Sequence, residues 1–368
     1  PRPDYEMTTR ISDAPHLVRS HAVATVEAKY YAGGALPNAE LRWLVTSLRG
    51  HYEPPGHPDF VFGKHEPWWM FWRHHGPADE SDLVPRHEEL STQTDAKGEH
   101  HLRMDFVSVA PEYVTSVTAE ATVQDVNRQA WSGSSSTLVH PAERYVGLRS
   151  ERAFVRAGEA LELDAIVVDI DGAVQASVPV SVRASRLVWE QVHGEMVERE
   201  RDAQTCETKS ASEPVRCSIP VSKGGAWRVV AIVNDAEGRS SRTEMLTWVA
   251  GGDLPAPRGV TQEQVLLIPD REHYEAGQTA MIAVSAPWPG AHGLVTLRRS
   301  GLVEAKTVTL EGTSTILEVP ITEDMTPNLY VQVDLVGAAP RAADGLPKGT
   351  KLPPRPAHAT GVVSLSIP

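Results

Sequence analysis

The stretch Leu329-Tyr330-Val331-Gln332-Val333-Asp334-Leu335 alternates apolar and polar side chains along its length. On an extended chain, successive side chains point to opposite faces, so this pattern collects the apolar groups on one side. The stretch follows Pro327-Asn328, and a run of this composition that starts after turn-forming residues is typical of a strand. It therefore predicts a half-buried antiparallel β-strand.

The same period of two recurs along the chain. Further examples are residues 22–28, 41–45, 178–183, 294–297 and 316–319. Helical patterns are nearly absent, because the charged run at residues 196–203 is too short to indicate a helix. The sequence predicts an all-β protein.

Two internal repeats set the domain count. An Ala-Gly turn that leads into a strand occurs at Ala157-Gly158 and again 119 residues later at Ala276-Gly277. A strand that ends in an Asp-containing turn occurs at residues 121–125 and again 110 residues later at residues 231–235. Spacings of this size are those of sandwich domains in tandem.

Short Pro- or Gly-containing segments, 140–143 and 251–257, mark the boundaries between domains. We expect three antiparallel β-sandwiches of the fibronectin-III or immunoglobulin-like kind. They are residues 1–141, with a long aromatic-rich insertion; residues 142–252, with a hairpin disulfide; and residues 253–368.

Charge and hydropathy exclude several classes of protein. The chain has a net charge of -13, and a chain this acidic repels phosphate backbones, which argues against nucleic-acid binding. No apolar run approaches the roughly 18 to 20 residues of a membrane span. The first residues have no basic and apolar signal-peptide pattern and no initiator Met, so we expect a part cut from a longer protein.

The two cysteines, Cys206 and Cys217, flank a short polar segment between two strand-like runs. A disulfide there would close a loop of about a dozen residues, which the chain-entropy model values at roughly 3 kcal/mol. Free thiols and a metal site are the alternatives, although a zinc site needs two further ligands. A disulfide would indicate an oxidising compartment.

Two long stretches, residues 50–100 and 337–358, have no periodicity, and loops of this length are normally functional or disordered. The first contains an aromatic cluster that could pack on its own domain, contact another domain or partner, or bind a sugar. The members of the aromatic cluster are Trp68, Trp69, Phe71 and Trp72.

No catalytic, cofactor or metal motif is found. The chain lacks HExxH, a Gly-x-Ser-x-Gly elbow and a phosphate-binding glycine loop in a suitable setting. The adjacent histidine pairs, at residues 74–75 and 100–101, place at most one ligand on each face of a strand. Asp169 and Asp171 before Gly172 are explained by a turn between strands more simply than by calcium. We therefore expect a non-enzymatic protein without a cofactor.

Several strings resemble bacterial α2-macroglobulins. Tyr145-Val146-Gly147-Leu148-Arg149 and the later Val167-Val168-Asp169-Ile170-Asp171-Gly172 resemble a macroglobulin-type domain, and residues 30–39 resemble the opening of another. In the third region, Ile268-Pro269-Asp270, Leu297-Arg298-Arg299-Ser300-Gly301 and Pro327-Asn328-Leu329-Tyr330-Val331 resemble the bait-region domain.

The resemblance implies a periplasmic or cell-envelope protease inhibitor in which cleavage of an exposed bait segment triggers entrapment of the protease. Its partners would be proteases and the remaining domains of the same polypeptide, with lipid anchoring left open. Neither cysteine stands in a Cys-Glu-Gln thioester motif. The alternative is a tandem sandwich module for adhesion or envelope interactions.

The bait segment falls most naturally on residues 337–358, because a protease cleft needs an exposed, flexible substrate. A plain loop between two strands is the other interpretation. The candidate cleavage sites for trypsin-like proteases are Arg341, Lys348, Lys351 and Arg355.

Overall fold

The structure is a computed structural model that describes residues 5–67, 85–107, 112–192, 195–251, 264–339, 341 and 351–368. Within these ranges the chain is built almost entirely of β-strands, with a short 3-10 helix at Glu323–Met325. The prediction of tandem all-β sandwiches is confirmed.

The first sandwich pairs a three-stranded sheet, β1-β3-β6, with a five-stranded sheet, β2-β8-β7-β4-β5. Their core surrounds the fully buried Trp43 and Tyr5. The strands are β1 (Tyr5–Ile11), β2 (His16–Leu17), β3 (His21–Tyr30), β4 (Glu40–Arg49), β5 (Arg86–Gln93), β6 (Glu99–Asp105), β7 (Thr115–Gln124) and β8 (Ala130–His140).

The second sandwich repeats this plan with sheets β14-β11-β9 and β10-β16-β15-β12-β13 around the buried Trp227. The strands are β9 (Arg144–Ser150), β10 (Phe154–Arg156), β11 (Ala160–Asp169), β12 (Pro179–Val192), β13 (Glu195–Lys209), β14 (Val215–Pro220), β15 (Gly225–Asn234) and β16 (Ser240–Ala250). Two edge pairs, β2 with β8 and β10 with β16, are parallel, which departs from the purely antiparallel expectation.

The third sandwich has sheets β17-β18-β21 and β20-β19-β22-β23 around the buried Trp288 and Tyr274. The strands are β17 (Leu266–Pro269), β18 (Thr279–Ser285), β19 (His292–Arg298), β20 (Leu302–Thr309), β21 (Ser314–Pro320), β22 (Asn328–Ala339) and β23 (Arg355–Ser366).

The strand β5 corrects the expectation that residues 50–100 are irregular throughout. Seven of its eight residues are exposed, and it lies at the edge of its sheet. An edge strand whose two faces are both solvated has no apolar alternation, which is why the pattern did not predict it. The longer of the irregular parts of this stretch that the structure describes is residues 50–67, which we call the strap.

The strap leaves the first sandwich and lies on the second. Val61 exchanges backbone hydrogen bonds with Leu148 of β9, at 2.8 and 3.0 Å. Two further backbone bonds join the strap to Glu244 of β16, each 2.8 Å long. Phe62 packs over Gly147, where no side chain is in the way.

A second apolar contact joins the second and third sandwiches. Phe154 and Trp248 of the second sandwich form a buried cluster with Ile268 and Ala283 of the third. These third-sandwich residues lie on β17 and β18, on the face opposite their own core. Neighbouring sandwiches are therefore in direct contact.

Candidate functional site

The hairpin of β22 and β23 carries the candidate bait segment. The two strands pair in one unbroken antiparallel register from Asn328–Ser366 to Ala339–Arg355. Alternate residues of both strands enter the core of the third sandwich, and β23 is the terminal strand of its sheet. The buried members are Leu329, Val331, Val333, Leu335, Ala339, Ala359, Val363 and Leu365.

The ladder narrows the candidate segment from residues 337–358 to residues 340–354. Residues 337–339 and 355–358 are paired strand residues, so their backbone groups are held in the sheet. At the loop end of the hairpin, just beyond the last paired residues, Nε of Arg341 donates a hydrogen bond to the carbonyl oxygen of Pro353, at 3.0 Å. Residues 351–354 are exposed and have no regular structure.

Close packing at Gly337 fixes the part of β22 that leads into the segment. A side chain built on Gly337 would overlap the indole nitrogen of Trp288 in the core. Glycine is therefore required where β22 passes over the indole ring, and this contact anchors the strand just before the segment begins.

The four candidate cleavage residues differ in their structural environment. Arg341 and Lys351 are exposed and lie within residues 340–354. Arg355 is instead the first residue of β23, paired with Ala339, and it is half-buried. Lys348 lies outside the described residues, as do Trp68, Trp69, Phe71 and Trp72 of the aromatic cluster.

The disulfide between Cys206 and Cys217 is present, with the two Cα atoms 6.0 Å apart. Its predicted hairpin setting is wrong. Cys206 belongs to the five-stranded sheet of the second sandwich and Cys217 to the three-stranded sheet. The bridge therefore joins the two layers of the sandwich rather than two paired strands.

Among the residues considered as metal ligands, Asp169 and the pair His100-His101 form hydrogen bonds within the fold. The carboxylate of Asp169 accepts the backbone N–H of Ala173 in a tight turn, as expected. His100 accepts a hydrogen bond from the indole of Trp43, and His101 bonds Thr25. Among the residues that the structure describes, no three His, Cys, Asp or Glu side chains converge to hold a metal ion.

A charged cluster at the contact of the first two sandwiches was not predicted. Glu244 receives a hydrogen bond from the hydroxyl of Tyr113, in the first sandwich, and ion pairs from Arg242 and Arg228. Burial, and then the charge of Glu244, raises the pKa of Tyr113. No local sequence pattern links these residues, because Tyr113 and Glu244 are 131 positions apart.

Comparisons with known proteins identify relatives. Residues 265–367 match the family model of the alpha-2-macroglobulin bait region domain. Over 346 residues the chain is 22% identical to an alpha-2-macroglobulin homolog of Nostoc sp.; this covers 91% of the chain and 17% of the relative. A stretch of 170 residues, 44% of the chain, is 26% identical to 4% of circularly permutated Ras protein 2 of Dictyostelium discoideum.

Among solved structures, the native conformation of E. coli alpha-2-macroglobulin aligns with 99% of the chain at 17% identity and a TM-score of 0.48. The chain covers 23% of that structure, so it spans less than a quarter of both alpha-2-macroglobulin relatives. No helix in the described ranges has the length and apolar character needed to cross a membrane.

Proposed function

Because this chain is alpha-2-macroglobulin-like and carries a bait region domain at residues 265–367, we propose that it acts in a protease inhibitor and presents residues 340–354 as the bait. The observation that carries the proposal is the location of this segment. It joins two paired strands inside the matched domain, and the parts of it that are described are exposed and lack ladder hydrogen bonds.

The geometry favours some bonds over others as cleavage sites. A protease binds its substrate as an extended strand, so the scissile bond must be free of other backbone pairing. Arg341 and Lys351 meet this condition, and Lys351 is followed by Leu352. Arg355 is held in β23 and precedes Pro356, whose ring obstructs cleavage of the bond between them.

The role we propose is non-enzymatic, with a protease as the partner and the remaining domains of a longer polypeptide as the machinery of entrapment. The disulfide between Cys206 and Cys217 supports an oxidising location such as the periplasm or cell envelope. This chain would then supply the framework and the trigger, and the trapping itself would need the whole molecule.

Limited proteolysis tests the bait assignment. The chain is treated briefly with trypsin, elastase and a subtilisin-type protease, and the products are mapped by intact-mass spectrometry. We expect the first cuts of all three enzymes to fall within residues 340–354, since loop tips are cleaved before paired strands. The strands of the first two sandwiches should remain uncut.

Two variants sharpen the experiment. The triple substitution Arg341→Gln, Lys348→Gln and Lys351→Gln should slow trypsin but leave elastase cleavage of the same segment unchanged. Arg355→Gln is the matched control and should leave the trypsin pattern as it is. Cuts scattered over other loops while residues 340–354 stay intact would refute the bait assignment and favour an adhesion module.

A further inference from the structure

The junction between the first and second sandwiches encloses the imidazole ring of His140. This residue ends β8 and is only 4% exposed. Its Nδ1 lies 2.6 Å from the hydroxyl oxygen of Tyr145 in β9, and the two groups share a hydrogen bond. The ring of Tyr52, from the strap, meets the imidazole edge-on with centroids 4.8 Å apart. One titratable ring therefore contacts both sandwiches and the strap.

The groups that face His140 cannot neutralise a positive charge there. His16, on the neighbouring strand β2, is itself buried and would repel an imidazolium. Burial raises the pKa values of Tyr52 and Tyr145, so both hydroxyl groups remain uncharged. A proton added to His140 would thus be placed in a closed aromatic site without a counter-charge.

The nearby acidic groups, Glu143 of the linker and Asp235 of the second sandwich, already have a partner. Oε1 of Glu143 lies 3.0 Å from Nη2 of Arg239, and the same guanidinium donates to Asp235. Both carboxylates are therefore engaged with Arg239. They are not free to move toward His140 without breaking that ion pair.

Tyr52 also ties the first part of the strap to the second sandwich. Tyr52 donates its hydroxyl hydrogen to the carbonyl oxygen of Ile170, and His57 bonds the carbonyl oxygen of Gly172, at 2.6 and 2.8 Å. The later part of the strap is held by the pairing of Val61 with Leu148, the packing of Phe62 and the two backbone bonds to Glu244. Because Tyr52 contacts His140 and also bonds Ile170, displacement of Tyr52 by a charged imidazole would remove this part of the strap's attachment.

We propose that His140 is a pH-sensitive latch, which holds the strap and the first sandwich on the second sandwich while it is neutral and releases the strap when it is protonated. This inference rests on the junction alone and is independent of the bait assignment.

The direction of the pH dependence follows from the surroundings of the ring. Burial, and after it the charge of His16, lowers the pKa of His140 from its ordinary value of about 6.5. The released ring is exposed to water and binds a proton more readily than the latched ring. Acid therefore favours the released state: the latch is intact above about pH 6.5 and weakens as the pH falls below that value.

Amide hydrogen exchange of the 368-residue chain measures the latch directly. The amides of Val61 and Leu148 bond only across the junction, whereas those of Val229 and Ala231 lie inside the second sandwich. Protection factors are compared at about pH 7.5 and about pH 5, on either side of the ordinary histidine pKa. We expect the junction amides to lose protection at the lower pH and the core amides to keep theirs.

Two substitutions separate the latch from general acid sensitivity. In His140→Asn the amide can replace Nδ1 as a partner for Tyr145 but does not titrate, so the acid-induced loss should disappear. His57→Gln, which can still donate to Gly172, is the matched control and should behave like the wild type. His16→Gln provides a test that does not alter the latch residue: it should raise the pKa of His140, read by NMR, and reduce the acid-induced loss.

Three results would each overturn the proposal. The first is unchanged protection of Val61 and Leu148 across the pH range. The second is an equal loss in the wild type and His140→Asn. The third is a parallel loss at Val229, which would show that acid unfolds the second sandwich as a whole.

Discussion

At the scale of single residues, four aspartates build the same turn in different parts of the chain. Oδ1 of each accepts a backbone N–H four residues further on, and three also bind the N–H two residues on. A short side chain that replaces a backbone acceptor is the reason that aspartate is favoured at such positions. The four residues are Asp95, Asp125, Asp169 and Asp235.

Asp235 does more than close its turn, because it also receives a hydrogen bond from the buried guanidinium of Arg239, at 2.6 Å. Burial by itself would raise the pKa of Asp235, but the hydrogen bonds from Arg239 outweigh it and hold the pKa below its ordinary value. The stabilisation is therefore present above the ordinary carboxyl pKa of about 4 and is lost as the pH falls through the lowered value.

We predict that Asp235→Ala lowers the free energy of unfolding at neutral pH by about 3 kcal/mol, the lower end of the range for breaking a buried ion pair, since Glu143 still faces Arg239. Asp125→Ala, in the equivalent turn without a buried arginine, should cost only about 1 kcal/mol, like the loss of a capping group. Chemical denaturation of both variants measures the difference. Equal losses would show that the ion pair adds nothing to the turn.

At the scale of elements, the hairpin of β22 and β23 combines a long ladder with a connecting segment that can be cut. The ladder pairs every residue of Asn328–Ala339 with a residue of Arg355–Ser366. The segment that a protease would sever is therefore separate from the residues that hold the two strands together.

We predict that cleavage after Lys351 leaves residues 352–368 bound to the rest of the chain. The side chains of Val363, Leu365 and Ile367 remain in the core, and all the ladder hydrogen bonds survive the cut. Size-exclusion chromatography of the cut chain should show one species under native conditions and release of the peptide in denaturant. Elution of the free peptide without denaturant would contradict this.

The sequence allowed prediction of those strands whose side chains alternate between core and solvent. It did not reveal β5, whose side chains are nearly all exposed, or the strand character of Arg355, which comes from pairing with Ala339 rather than from apolar alternation. The separation of 11 positions between Cys206 and Cys217 indicated a short loop, but the sheet that each cysteine joins depends on distant strands.

For the candidate site, composition was enough to locate an aperiodic, proline-rich segment. The contacts at its ends were not predictable, because the bond from Arg341 to Pro353 and the packing of Gly337 on Trp288 join residues that are distant in sequence. The same reason applies to the site of His140, whose partner Tyr52 is separated from it by most of the first sandwich.

At the scale of the whole molecule, the third sandwich lies against the second through an apolar contact. Ile268 is completely buried, and its neighbours in that cluster include Phe154 and Trp248 of the second sandwich. Burying apolar side chains between domains makes the domains unfold together, since separating them exposes this surface to water.

We predict that Ile268→Glu uncouples the two sandwiches. Differential scanning calorimetry should show one shared transition for them in the wild type and two separate transitions in the variant, because a buried unpaired carboxylate opposes the contact. Val362→Glu, on the solvent face of the third sandwich, is the control and should keep the shared transition. A single unchanged transition in Ile268→Glu would show that the contact is energetically unimportant.

The strap also has a mechanical consequence. Two bodies joined by one covalent linker can swivel about it in three directions, whereas a second attachment at a distance from the first leaves at most one axis of rotation. The linker at residues 140–143 and the pairing of Val61 with Leu148 are two such attachments. While both attachments hold, rotation of the first sandwich relative to the second is restricted. Release of the strap restores that rotational freedom without cleavage of the chain.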